Sequence, residues 1–197
     1  MGYLFEPTDS DCYHGTTVLI NKLGITDEKI LKENESFITS TVAAMLISKP
    51  LKQGFDFGDY KAIHYALFSE LYSWAGEIRT ISLSKTTTKF VAPEQIEVLG
   101  RKIFNRLKKL NYFVDLSKDE FVIEIADLYN SLNLLHPFRE GNGRTQRVFF
   151  TQLIRNAGYS IDYSEFNSEF LMVGSIQAAS GVMDNLISFF ENNIIKH

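Results

Sequence analysis

The sequence predicts one mostly helical domain that carries a single small β-hairpin. Apolar residues recur at helical spacing along most of the chain, whereas one short segment near the middle is rich in β-prone residues. No repeat, low-complexity tract or Pro/Gly-rich linker divides the chain. Its 197 residues, 45% of them hydrophobic, suit one domain spanning 1–197 with a buried core. The predicted class is therefore all-α, with the hairpin as the exception.

Amphipathic spacing predicts seven helices, together with a less regular one around 165–175. Asp27 is a suitable N-cap for the long second helix, and Pro50 follows the C-terminal end of that helix. The seven helices are expected at about 16–23, 27–48, 59–73, 94–110, 119–135, 143–157 and 178–194.

The predicted hairpin lies at about 79–92. This segment contains β-branched and aromatic residues with turn-like polar residues between them. The simplest interpretation of its threonine run, Thr86–Thr88, is a solvated hairpin tip. An exposed hairpin edge can also pair with an extended segment of another protein through main-chain hydrogen bonds.

The composition argues against several classes of protein. A formal net charge of −4 disfavours non-specific nucleic-acid binding, which needs a basic face. No apolar run approaches the roughly 20 residues that cross a bilayer, and the N-terminus lacks the pattern of a signal peptide. The single cysteine, Cys12, excludes an internal disulfide and fits a reducing compartment. We therefore expect a cytoplasmic protein with no membrane partner and no direct nucleic-acid partner.

The segment 136–147, with the sequence HPFREGNGRTQR, carries the most information about function. Pro137 disfavours helical geometry at His136, so the helix at 119–135 should end there with the imidazole at its C-terminal end. Helical spacing resumes after Gly143. The segment is thus predicted to be an elbow between two helices, with its reactive side chains in the turn.

The residue types in this elbow favour an anion. Gly141 and Gly143 allow tight backbone conformations and bring amide N–H groups close to a ligand at the start of the next helix. A helix N-terminus with such donors is a natural anion site. Arg144 and Arg147 are three residues apart, so they share a face of that helix and add two permanent positive charges.

Two further side chains add chemistry to the anion site. Glu140 would be repelled by a phosphate unless a divalent cation lay between them, and Mg²⁺ meets that need. The imidazole of His136 is the group best suited to take up a proton near neutral pH. The elbow therefore indicates phosphoryl or nucleotidyl transfer.

Plainer interpretations of the same residues are weaker. A solvated Gly-Asn-Gly turn gives no packing reason for a histidine, a glutamate and two arginines to occur together. A zinc site at His136 and Glu140 would need an unbroken helix, and no HExxH pattern is present. A P-loop would need a GK[ST] ending, which is missing. His64, on the helix predicted at 59–73, is expected at the surface or an interface and is given no role.

The elbow resembles the signature of the Fic family, HPFx[DE]GNGRxxR, and matches it at every fixed position. The resemblance continues at 13–25, where His14 replaces the family's common proline. It also covers 71–79 and 90–96, which flank the hairpin that the family uses as a "flap". It therefore spans nearly the whole chain and implies a Fic-type helical bundle.

The resemblance implies a protein adenylyltransferase, which transfers AMP from ATP to a Tyr, Thr or Ser hydroxyl of a target protein and releases pyrophosphate. His136 would be the catalytic base, and Glu140 would hold Mg²⁺. Asn142 would add a side-chain donor for the phosphates. The nucleotide-binding residues implied are Phe138, Gly141, Asn142, Gly143, Arg144 and Arg147. The flap residues implied for target docking are Lys85, Thr86, Thr87, Thr88 and Phe90.

Some Fic proteins end in an inhibitory helix of pattern [ST]xxxE[GN]N, whose glutamate pairs with the second signature arginine. Here Glu191 would pair with Arg147 and block the γ-phosphate, from the helix predicted at 178–194. The Glu-Asn-Asn ending matches this pattern, but Ile187 stands where Ser or Thr is expected. An amphipathic terminal helix without a regulatory role remains the alternative. Glu33 with Asn34 is a weaker match to the other inhibited class.

Several alternatives stay open at this point. The same elbow could transfer UMP or phosphocholine, or the chain could be a catalytically silent nucleotide-binding or partner-binding module. The partners expected are ATP and a protein target. A separate small antitoxin and a second copy of the chain are further candidates.

Overall fold

The computed structural model describes residues 11–49, 55–85, 88–161 and 168–196. Within these ranges the chain forms seven α-helices and two small antiparallel sheets of two strands each. The helices are α1 Glu28–Ser48, α2 Phe57–Phe68, α3 Pro93–Lys109, α4 Lys118–Leu135, α5 Asn142–Asn156, α6 Ser168–Ala179 and α7 Asp184–Asn193. The strands are β1 Ser84–Lys85, β2 Thr88–Lys89, β3 Tyr159–Ile161 and β4 Ile194–Lys196.

The helices pack around α2, α4 and α5. Helix α2 contacts α1, α3 and α5, while α4 contacts α3, α5, α6 and α7. Aromatic rings fill much of the space between them, with edge-to-face and stacked contacts. The largest fully buried side chains include Tyr60, Tyr72, Phe68, Phe113, Phe121, Phe138, Phe149, Phe150 and Phe190. This core fixes the relative positions of α4 and α5, which flank the elbow.

Local capping explains where α1 and α4 begin. The carboxylate of Asp27 accepts a hydrogen bond from the amide of Ile30 at 2.9 Å, as expected for the N-cap of α1. Helix α4 begins with a capping box, in which Ser117 and Glu120 each bond to the other's backbone amide. The predicted helices at 27–48, 94–110, 119–135 and 143–157 are confirmed within one residue at either end.

The helix predicted at 16–23 is wrong. The segment instead forms a turn with positive φ at Gly15, and an isolated β-bridge joins Cys12 to Leu19. The amide side chain of Asn21 then bonds to the backbone of Leu19 and Ile25, which holds the segment in an irregular conformation. Of the apolar residues there, Val18 is buried and Leu19 packs partly against the core, whereas Ile20 and Leu23 are exposed, so no helical stripe is buried.

The helix predicted at 59–73 ends early, at Phe68. The amides of Leu71 and Tyr72 both bond to the carbonyl of Phe68, which closes a turn where the prediction continued the helix. Helix α2 also begins earlier than predicted, because Asp56 forms a capping box with Asp59.

The helix predicted at 178–194 is only partly correct. A turn with φ +93° at Gly181 separates α6 from α7, and the chain after α7 pairs with β3 as strand β4. This second sheet was not predicted. The less regular helix predicted around 165–175 corresponds to α6.

The predicted hairpin at 79–92 is present but has very short strands. Ser84 pairs with Lys89, and Lys85 pairs with Thr88, in antiparallel register. Thr86 and Thr87, together with Pro50, lie outside the described residues. None of the helices in the described ranges is long and apolar enough to cross a lipid bilayer.

Candidate active site

His136 occupies a break between α4 and the elbow. Its backbone is left-handed, with φ 43° and ψ 59°, directly after the end of α4 at Leu135 and before Pro137, which disfavours a continued helix at this residue. Ring nitrogen Nδ1 lies 3.2 Å from the carbonyl oxygen of Asn133. A carbonyl can only accept, so Nδ1 donates and the neutral ring keeps its lone pair on Nε2. The ring also stacks on Phe90, with centroids 3.7 Å apart.

Arg79 connects this break to the flap. Its guanidinium donates to three carbonyl oxygens: Nε to His136 at 2.8 Å, Nη1 to Ile81 at 2.5 Å and Nη2 to Val91 at 2.5 Å. The backbone amide of Arg79 donates to the carbonyl of Pro137 at 2.9 Å. One buried side chain therefore fixes both arms of the hairpin relative to the candidate base. The sequence analysis missed this residue, because nothing local distinguishes it from a solvated arginine.

Inside the elbow, the side chains of Phe138 and Asn142 take part in the loop itself. Phe138 is fully buried and stacks on His64, with centroids 3.8 Å apart, so its ring belongs to the core. The Asn142 amide spans the turn, where Oδ1 accepts from the amide of Phe138 and Nδ2 donates to the carbonyl of the same residue. Both side chains shape the loop, Asn142 Nδ2 has a second N–H besides the one that bonds to Phe138, and their nucleotide-binding roles stay predictions.

The two glycines of the elbow differ in what requires them. Gly141 has φ +81°, and a Cβ placed there would lie 2.2 Å from Cζ of Phe68. Gly143 lies exposed in the first turn of α5, and a Cβ placed there would meet nothing within 4 Å. Packing therefore explains Gly141, whereas the open space at Gly143 leaves room for a ligand at the helix N-terminus.

Glu140 and Arg144 contact each other at this N-terminus. Oε1 of Glu140 accepts from the amide of Gly141 at 2.9 Å and from Nη2 of Arg144 at 3.3 Å. The same Nη2 donates to Glu35 of α1 at 3.0 Å, and the guanidinium lies over the ring of Phe68, 4.7 Å from its centroid. The Nη2 end of the Arg144 guanidinium is thus held by two carboxylates, and the guanidinium also contacts the Phe68 ring.

The side chains at this end of the site could hold a magnesium ion only together with the phosphates of a nucleotide. Among the described residues, no group of three or more His, Cys, Asp or Glu side chains could hold a metal ion. Glu140 is a single, partly exposed carboxylate beside the α5 N-terminus, and Oε2 accepts no hydrogen bond from a described residue. One carboxylate plus phosphate oxygens is a common way to bind Mg²⁺.

His64 is another residue that the sequence analysis misjudged. It is 0% exposed, not at the surface. Its Nδ1 accepts from the amide of Gly76, and Nε2 lies 3.0 Å from the carbonyl of Glu140, so it connects the segment before the flap to the elbow. Burial lowers the pKa of His64 to about 4, which keeps the ring neutral in this bridging state.

The remaining predicted residues lie at the edges of the site. Arg147 is exposed on α5, and Thr88 is half-buried in β2. Glu191 lies exposed near the end of α7, which packs on α4 and α6. Across the described part of the chain, no ion pair joins Glu191 to Arg147, so its inhibitory role stays a prediction.

Comparison with known proteins identifies the family. The model of the Fic/DOC family matches residues 54–154. The probable protein adenylyltransferase y4lH of Sinorhizobium fredii is 37% identical over 175 residues, which cover 88% of this chain and 89% of that protein. The probable protein adenylyltransferase Fic of Salmonella typhimurium is 32% identical over 189 residues, covering 96% and 94%.

A solved structure has the same arrangement of elements. The crystal structure of the BepC protein from Bartonella tribocorum, with bound AMPPNP, superimposes with a TM-score of 0.88 and 28% sequence identity. The superposition covers 96% of this chain and 98% of that one. A helical fold with a signature elbow between α4 and α5 thus defines the class of protein. The chain belongs to the Fic/DOC family, and the expected Fic-type fold is confirmed.

The two elbow glycines make a matched test. Gly141→Ala should lower the free energy of unfolding by about 2–4 kcal/mol, because it combines a left-handed alanine with a clash against Phe68. Gly143→Ala should leave stability within about 1 kcal/mol of the parent chain, since alanine is tolerated early in a helix, but should weaken ATP binding. Chemical denaturation and calorimetry measure the two effects. Equal losses of stability in both variants would contradict this difference.

Arg79→Lys tests the connection between flap and elbow. A single ammonium cannot reach three diverging carbonyls, so at least one charge-assisted hydrogen bond is lost, worth about 1.5–3 kcal/mol. Amide exchange in 79–92 and 136–138 should therefore accelerate by roughly tenfold to a hundredfold, as followed by mass spectrometry. Arg101→Lys is the control, because Arg101 is exposed and, among the described residues, forms an ion pair only with Glu97 of its own helix. Unchanged exchange in Arg79→Lys would contradict the connection.

Proposed function

We propose that this protein transfers AMP from ATP to a side-chain hydroxyl of a target protein. The observation that carries the proposal is the elbow itself. The imidazole of His136 lies at one end of this short loop. The carboxylate of Glu140 and the guanidinium of Arg144 lie at the other end, beside an open helix N-terminus. The relatives named protein adenylyltransferases and the related BepC structure with bound AMPPNP support the same chemistry.

His136 is the proposed general base. The Nδ1–H bond to Asn133 orients the ring so that Nε2 takes the proton from a Tyr, Thr or Ser hydroxyl. The hydroxyl oxygen then bonds to the α-phosphorus of ATP, and the bond from that phosphorus to the β-phosphate breaks. Pyrophosphate leaves with the electron pair. Positioned base catalysis of this kind typically supplies ~10²–10⁴ in rate.

The start of α5 is the proposed binding site of the triphosphate. Amides of its first turn, including that of Gly143, have no partner within the helix and donate to phosphate oxygens, and Arg144 and Arg147 contact the β- and γ-phosphates. Glu140 would hold Mg²⁺ together with these phosphates. When bound, the ion neutralises charge that develops on the departing pyrophosphate. Correct orientation matters as much as affinity here, because a reversed chain would present the wrong phosphorus to the hydroxyl.

The flap is the proposed docking site of the target. Main-chain groups along the short hairpin, from Lys85 to Phe90, can pair with an extended segment of the target and hold its hydroxyl near the α-phosphate. Phe90 has a second contact, because its ring stacks on the imidazole of His136. Target docking and base orientation are therefore joined in one element.

Labelled ATP tests the reaction directly. We expect label from the α-position to appear on protein when the chain is incubated with a cell lysate and Mg²⁺, and none from the γ-position. His136→Ala should remove the signal while ATP binding persists. Competition among ATP, UTP and CDP-choline identifies the donor. Label from the γ-position would mean kinase chemistry, and ATP binding with no labelled protein would favour a silent nucleotide-binding module.

Inhibition by Glu191 stays a prediction with its own test, and in the described part of the chain Glu191 is exposed and forms no ion pair with Arg147. If Glu191 competes with the γ-phosphate for Arg147, Glu191→Gly should raise the rate of transfer, including self-modification. The α-label assay measures this against the parent chain. An unchanged rate, with ATP affinity also unchanged, would remove Glu191 from the mechanism.

A further inference from the structure

Helix α1 contributes a buried carboxylate to the nucleotide end of the site. Glu35 is 8% exposed, and both of its oxygens are engaged. Oε1 accepts a hydrogen bond from the hydroxyl of Tyr72, and Oε2 accepts from Nη2 of Arg144 at 3.0 Å. A carboxylate this deeply buried needs such hydrogen-bond partners, because the hydration that it loses is otherwise uncompensated.

Tyr72 is itself held rigidly. It is almost fully buried, and its ring stacks on Trp74 with centroids 4.4 Å apart. Burial, and next the negative charge of Glu35, raise the pKa of the Tyr72 phenol, so the hydroxyl stays protonated and remains a donor. The chain of contacts therefore runs from a fixed tyrosine, through Glu35, to the first arginine of the signature.

Arg144 makes its two ion pairs with one nitrogen. Nη2 is shared by Glu35 and Glu140, while the face of the guanidinium lies over Phe68. Among the described residues, no hydrogen-bond partner is present for Nη1 or Nε. Because the guanidinium is planar and rigid, holding Nη2 also fixes the directions in which Nη1 and Nε donate.

We propose that Glu35 and Tyr72 are positioning residues that orient Arg144 toward the β-phosphate of the bound nucleotide. The inference rests on the proposed function for the assignment of Arg144 to that phosphate. Glu35 acts through Arg144 and does not touch the nucleotide. With Glu35 removed, Glu140 would be the remaining ion-pair partner of Arg144, and the guanidinium would turn toward it. The opposite view is that Glu35 competes with phosphate for Arg144 and so inhibits binding, and the two views predict effects of opposite sign.

Two conservative variants and a matched control separate these views. Glu35→Gln keeps size and an acceptor for Tyr72 but loses the charge, and Tyr72→Phe keeps the stacked ring but loses the hydroxyl. Glu33→Gln is the control, because Glu33 lies on the same helix with its side chain 65% exposed, and its one ion pair with a described residue is a 4.0 Å contact with Lys29. Circular dichroism and thermal unfolding confirm that each variant folds.

The readout is the dissociation constant for ATP, ADP and AMP in the presence of Mg²⁺. If Arg144 serves the β-phosphate, Glu35→Gln should weaken ATP and ADP on the order of tenfold, a typical coupling between residues in contact, and leave AMP unchanged. Tyr72→Phe should act in the same direction to a smaller extent, and Glu33→Gln should have no effect. In an Arg144→Ala background, Glu35→Gln should add nothing further.

The outcomes distinguish this inference from the proposed function. Tighter ATP binding in Glu35→Gln, or equal weakening of ATP, ADP and AMP, would overturn the positioning role. The positioning role would also be overturned if Arg144→Ala lost ATP affinity while Glu35→Gln and Tyr72→Phe both retained it. A parent chain that binds none of the three nucleotides would instead overturn the proposed function itself.

Discussion

The left-handed backbone at His136 is the constraint around which the candidate site is organised. A non-glycine residue in this conformation costs on the order of 1–2 kcal/mol, and several contacts offset that cost. The carbonyl of His136 accepts from Arg79, the amide donates to Leu132, and the ring packs on Phe90. The break ends α4, turns the chain into the elbow and aims the imidazole without reliance on a flexible side chain.

The buried polar side chains of the site form hydrogen bonds with the backbone of loops. A loop that passes through a protein interior leaves amides and carbonyls that no helix or sheet satisfies. Arg79 satisfies three such carbonyls, Asn142 an amide and a carbonyl, and His64 one of each. The elbow and the base of the flap are therefore held rigidly before any ligand binds. A site that is already ordered in this way needs little rearrangement during the reaction.

The parts of the fold that the sequence predicted well are those with local physical causes. Pro137 ends α4, and Asp27 caps α1, through contacts within a few residues. Glu35 could not be assigned in this way, because its partner Arg144 lies 109 residues away and nothing in the spacing of α1 indicates it. The same holds for His64, which looks like a surface histidine until the elbow packs on it. Periodicity identifies which residues are buried, but not which buried polar groups meet.

Charge sets a condition on how a nucleotide can enter the site. Arg144 and Arg147 bring two positive charges, and Glu35 and Glu140 bring two negative ones, so these groups are balanced before any phosphate arrives. A polyphosphate adds several negative charges that Arg147 alone cannot neutralise. The described residues do not form a set of ligands that could hold a cation in advance. Under the proposed function, nucleotide and ion should therefore bind together, with Glu140 contacting the ion and Glu35 keeping Arg144 in place.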